Sequence, residues 1–112
     1  MNTSIERKSM SHQEQLIGAH FLTLLRRRTE PLFVRAFGSR VRGEAAADSD
    51  FDMLVVVENL DVDTDQFISE CAWEAGFEHG VIVSPLAYSR DEYEREAASP
   101  LLRAIKREGE AV

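Results

Sequence analysis

Cysteine is almost absent: the chain has one, Cys71, in 112 residues. That excludes an internal disulfide and a multi-cysteine zinc site. No cation flanks Cys71 to favour a thiolate, so it reads as a buried thiol on a helix rather than a nucleophile. Long apolar runs are equally scarce. The longest, Met53–Val57, falls far short of the roughly 20 residues that span a bilayer. The opening MNTSIERKSM is polar and carries no apolar stretch of a secretory signal, so a cytoplasmic setting is expected. There are three prolines and six glycines, with no run of either that would mark a linker. The expectation is a flexible leader over 1–10 and a single domain over 11–112. Positive charge is also in deficit: 13 Lys/Arg against 20 Asp/Glu give a net charge of −7, which excludes general coating of nucleic acid. The deficit is uneven, with eight Lys/Arg and four Asp/Glu in 1–45 but five and sixteen in 46–112.

What is present is a regular succession of helix and strand patterns. Ser11-His12-Gln13-Glu14 has the form of a capping box. Leu16, Ile17, Phe21, Leu24 and Leu25 follow at helical spacing and predict a stripe facing a core. That helix is expected to end near Thr29, with Arg26, Arg27 and Arg28 in its last turn, where cations suit the negative helix end; an RNA or phosphate contact is the other reading of the triplet. Leu32–Phe37 predicts a short strand, and Gly38-Ser39 breaks it. Residues 40–51 suit a tight connection containing a helical turn. Met53–Val57 is continuous and β-branched, as in a strand covered on both faces. Asn59–Thr64 reads as an acidic loop, and Asp65 to Gly76 as a helix, with Trp73 and Phe77 packing nearby. Val81-Ile82-Val83, continuing to Tyr88, predicts a third strand. Ser89-Arg90-Asp91-Glu92 is a second capping box, and Ser99-Pro100 opens a last helix that Gly109 ends. The fold class is α/β (α+β) with about three core strands.

Chemistry concentrates in Gly38–Asp52, GSRVRGEAAADSDFD. A glycine after a strand lets backbone approach a ligand closely, and free N–H groups at a following turn suit phosphate oxygens, to which Ser39 adds a hydroxyl. Asp50 and Asp52 flank Phe51 at the mouth of the apolar strand. Residues two apart on a strand point the same way, so both carboxylates project together and repel unless a cation lies between them. Mg²⁺ suits that place, since it is held by one or two carboxylates plus substrate phosphates. Arg35, Arg40 and Arg42 lie close by, and Arg40 and Arg42 are candidate phosphate contacts. Donors, positive charge and a carboxylate-held metal are the parts phosphoryl-type transfer requires.

Gly38-Ser39, ten intervening residues and Asp50-x-Asp52, with Gly43 and Ser49 at further matching positions, resembles the signature of the minimal nucleotidyltransferases of the DNA polymerase beta superfamily. The resemblance implies a mixed sheet flanked by helices and transfer of a nucleoside monophosphate from an NTP, with ATP expected. It implies that Gly38 and Ser39 hold the β,γ-phosphates and that Asp50 and Asp52 bind Mg²⁺. The family also places a third carboxylate on the next core strand. Here that strand holds no acid, and Glu78 at its leading edge is the close candidate for metal ligand or base; a helix-end surface residue is the alternative. His79 reads as a loop histidine or a phosphate contact.

Small proteins similar to this family often act beside a helical HEPN-type toxin as its antitoxin, some by adding AMP to the partner. The chain has the size of the nucleotide half of a transferase, so a separate acceptor protein is expected. Three readings stand: such an enzyme; an inactive nucleotide- or partner-binding module that neutralises its partner by occlusion; and, motivated by Arg26–Arg28, modification of RNA ends. Homo-oligomerisation stays open.

Overall fold

A computed structural model describes residues 10–44 and 48–112; the leader expected over 1–10 thus falls outside the described residues except for Met10. Helix α1 (His12–Leu25) begins as its capping box predicts. The Glu14 amide donates to Ser11 Oγ at 3.1 Å and the Ser11 amide donates to Glu14 Oε1 at 2.9 Å. It stops earlier than expected: Arg26 is its C-cap, and residues 26–28 form turns beyond it. Strand β1 (Phe33–Phe37) pairs antiparallel with β2 (Phe51–Val57). Helix α2 (Val62–Phe77) then carries the chain to β3 (Val83–Ser89), which lies parallel to β2. The acidic loop is shorter than expected because the Asp61 carboxylate accepts the Thr64 amide at 2.7 Å and starts α2 there. Strand β3 begins at Val83 rather than Val81. Helices α3 (Arg90–Glu96) and α4 (Pro100–Glu108) follow, capped by Ser89 and Ser99.

A strand that was not anticipated, β4 (Glu110–Ala111), pairs antiparallel with β1 and makes the sheet four-stranded in the order β3-β2-β1-β4. The sheet is sandwiched. One face buries Val34, Ala36, Met53, Val55 and Val57 against Ile17, Phe21, Leu24 and Leu25 of α1 and Ile68, Cys71, Ala72 and Ala75 of α2. The other buries Leu54 and Val56 against Leu102 and Ile105 of α4. Strand β2 is therefore covered on both sides, as its continuous apolar sequence requires. Burial of each large apolar side chain contributes about 1.5–3 kcal/mol. Two expectations of packing fail: Leu16 is 48% exposed, and Trp73 and Phe77 are each 66% exposed. No helix among the described residues is long and apolar enough to cross a membrane.

Candidate active site

Strand β1 runs directly into Gly38, whose φ of 90° is in the region that disfavours side chains. The pairing that sets Phe37 against Asp52 also lays the Asp52 carboxylate along this glycine. A Cβ at position 38 would come within 2.6 Å of Asp52 Oδ2. Gly38 and the Asp52 carboxylate are thus adjoining walls of one site. From Gly38 the chain winds through a turn in which the Arg42 amide donates to the Gly38 carbonyl at 3.2 Å and the Glu44 amide to the Ser39 carbonyl at 2.9 Å. Val41 within it is buried and anchors the turn to the core. Residues 45–47 of the connection lie outside the described residues.

At the far side of this connection, Phe51 is buried in the core while Asp50 is exposed and Asp52 half-buried. Asp52 shares the sheet face of Leu54 and Val56, since alternate strand residues point together. Burial pushes the Asp52 carboxyl above its ordinary pKa, and the negative charge of Asp50 pushes it the same way. The pair therefore has the donor chemistry that a hard cation would satisfy.

The arginines occupy other places than the sequence suggested. Arg40 is not open to a phosphate: its Nη1 donates to Glu14 Oε2 at 2.9 Å and its Nε to the Ser49 carbonyl at 2.7 Å. The Arg40 and Glu14 side chains are each only 9% exposed. Arg40 therefore ties the turn after Gly38 both to helix α1 and to the residue preceding Asp50. It is a positioning residue. Arg42 lies at the surface between Glu44 at 3.0 Å and Glu108 at 3.6 Å, and the hydrogen bond it donates to Glu44 raises its pKa. Arg35 donates to the Gly109 carbonyl at the end of α4, and its buried Nε has no hydrogen-bond partner among the described residues. Of the triplet, Arg26 pairs with Glu30 and Arg28 lies over the Phe67 ring at 4.6 Å; all three follow the last turn of α1 rather than lying in it.

Glu78 does not stand on the third strand. It is the exposed C-cap of α2, five residues before β3 begins. The residue in register with Asp52 is Ser84. Among the described residues no group of three or more His, Cys, Asp or Glu is placed to hold a metal. His79 is half-buried in the turn after α2, where its amide donates to Gly76. The Glu14–Arg40 link was missed in the sequence because Glu14 already had a complete local explanation as a capping residue. No spacing rule relates residues 14 and 40.

Residues 21–79, just over half of the chain, match the family model described as Polymerase beta, Nucleotidyltransferase. The chain belongs to this family. The match runs from the middle of α1 to the turn after α2 and includes both Gly38-Ser39 and Asp50-x-Asp52. The mixed sheet flanked by helices is consistent with the nucleotidyltransferase fold, and nucleotidyl transfer is the chemistry assigned at family level. No curated protein matches the chain.

Proposed function

We propose that this polymerase beta-family chain is an Mg²⁺-dependent transferase that moves AMP from ATP to a hydroxyl of a separate protein. In the manner of the minimal nucleotidyltransferases it resembles, it would act as the antitoxin of a toxin–antitoxin pair. The observation that carries the catalytic part is the contact of Asp52 with Gly38. Phosphates resting on Gly38 and Ser39 would adjoin a cation held by Asp50 and Asp52. When bound, Mg²⁺ supplies the positive charge that offsets the triphosphate and the departing pyrophosphate.

The chain's own residues do the positioning. Gly38 lets backbone approach the phosphates, Ser39 offers a hydroxyl donor, and Arg40 fixes the loop that holds both ends of the site together. In the transfer, the acceptor oxygen bonds to the α-phosphorus, the bond from that phosphorus to the bridging oxygen breaks, pyrophosphate leaves, and the hydroxyl proton passes to solvent. A protein acceptor fits the net charge of −7 better than a nucleic acid does.

The test is incubation with α-labelled ATP, Mg²⁺ and a HEPN-type protein encoded beside this chain. Label is expected on the partner, reduced by about a hundredfold or more in Asp50→Asn and Asp52→Asn. Equal labelling by the wild type and both variants refutes catalysis at this site. The placement of Ser84, rather than an acid, beside Asp52 favours a second reading, a binding module that neutralises its partner by occlusion. Under that reading neutralisation survives both substitutions and no label is transferred.

A further inference from the structure

Around the β3 edge from the aspartates, an apolar cleft of about 470 Å³ is walled by Ser69, Trp73, Phe77, Val81, Ile82 and Pro85. Gly76 makes it. The chain folds back so closely after α2 that a Cβ at Gly76 would meet the Val81 carbonyl at 2.1 Å, and this brings 80–83 alongside the end of the helix. Trp73 and Phe77 stack on each other at 4.8 Å with planes 22° apart, yet each stays 66% exposed, and Ile82 is 69% exposed. Together they leave a neighbouring apolar surface of a few hundred Å² in water, on the order of the largest patch that a monomer carries, which is often functional.

The surroundings select the occupant. Glu74 near the end of α2 and Glu78 at its C-cap are four apart, both exposed, beside the Trp73–Phe77 stripe, while Glu70 one turn earlier shares a surface hollow with Arg28. No lysine or arginine occurs between Arg42 and Arg90 in the sequence, and Arg27 and Arg28, which reach this helix from the end of α1, lie on its Phe67–Glu70–Cys71 side. Phosphate-bearing strands are repelled by such a rim. A second copy docking patch to patch would set the same acidic row against itself. Extension of the sheet is opposed by Pro85, which removes a backbone donor from the edge strand β3.

We propose that this cleft seats a cationic, apolar-anchored segment of a partner polypeptide. One large apolar side chain would enter between Trp73, Phe77 and Ile82, with flanking lysines or arginines over Glu74 and Glu78. The Phe51 amide donates to the Ile82 carbonyl at 2.8 Å, and Phe51 lies between Asp50 and Asp52, so the anchor sits at the catalytic end of the sheet. That the anchored polypeptide is also the acceptor rests on the transferase reading; the docking does not.

Random peptides displayed on phage, selected on the whole chain, test this directly. Selected peptides free of tryptophan are then titrated while following Trp73, the only tryptophan, by fluorescence. The expected consensus is a large apolar residue flanked by Lys/Arg, with a saturable emission change. Affinity should fall about tenfold or more in Ile82→Asp and in the doubly reversed Glu74→Lys/Glu78→Lys, and weaken in about 0.5 M salt. Both variants alter exposed positions, and circular dichroism should match the wild type. Absence of enrichment, a neutral or acidic consensus, or unchanged affinity in both variants overturns the proposal. So does tighter binding of a single-stranded RNA oligonucleotide, or a dimer in sedimentation that Ile82→Asp abolishes. Peptide binding that persists in Asp50→Asn/Asp52→Asn, without any labelled transfer by the wild type, removes the transferase reading and leaves the docking site. Transfer to a protein that Ile82→Asp leaves unchanged removes the acceptor role of the anchored polypeptide.

Discussion

A carboxyl group that would have to ionise to hold the proposed cation stands, at Asp52, where burial and the charge of Asp50 both favour its protonated form. The folded-state pKa therefore lies above the unfolded one. Between those two values the native state binds more protons than the unfolded chain, and stability declines as pH rises through the window. Above it the ionised Asp52 weighs against the fold. Asp52→Asn is accordingly expected to raise the melting temperature at neutral pH while abolishing transfer. The gain should vanish near about pH 3, where the carboxyl is protonated in both states. Thermal melts across pH check this, and a lower melting temperature for the variant at neutral pH would show that Asp52 is stabilised by a partner in the metal-free protein. Mg²⁺ with ATP should raise the melting temperature of the wild type and not of the variant. That Gly38 and the aspartates stand at the ends of two strands was legible because β1 and β2 are short apolar runs, whereas the roles expected of Gly38, Ser39, Asp50 and Asp52 rest on the family resemblance. Glu78 was misplaced because the residues between α2 and β3, which look like strand by composition, are used for the turn on Gly76 instead.

At the scale of elements, the Glu14–Arg40 pair joins α1 to the loop that carries the site. Removing one member leaves a charge buried without its partner, at a cost of about 3–5 kcal/mol. Arg40→Met should lose that much stability in urea denaturation and also lower transfer, because Ser49 and Asp50 are no longer held. Glu14→Leu/Arg40→Met, which removes both charges, should lose clearly less than the sum of the single changes. Additive losses would show that the ion pair is not the link. Element identity was largely legible: the two Ser-x-x-Glu boxes, the Ser-Pro start of α4 and the β-branched run of β2 each have a local physical cause. The core stripe of α2, Ile68, Cys71, Ala72 and Ala75, was legible as well; that Trp73 and Phe77 stay outside the core was not. Helical spacing groups Trp73 with Phe77 as readily as it groups Ile68 with Ala72 and Ala75, and only the position of the sheet leaves the first pair exposed. Strand β4 has two residues and no pattern of its own, so it was invisible until its partner β1 was in place.

For the molecule as a whole, β4 covers the side of β1 that would otherwise lie open. The Val112 amide donates to the Val34 carbonyl at 3.0 Å, and the Val112 side chain lies against Gly18, where an added Cβ would be 3.0 Å from it. Gly18→Leu should displace this strand, cost about 1–3 kcal/mol, and speed hydrogen exchange at the Val112 amide while leaving transfer intact. Unchanged exchange at that amide would mean that the strand holds without the contact.

The cradle and its acids lie within one hairpin, from β1 through the loop to β2, whereas the parallel β2–β3 pair needs the whole of α2 as a crossover. Closing the short loop costs little entropy, and the penalty grows only slowly with length. Contacts close in sequence favour fast folding. The proposed site thus depends on the shorter of the two closures, and the proposed docking surface on the longer one, so a change in the α2 crossover can disturb the second without touching the first.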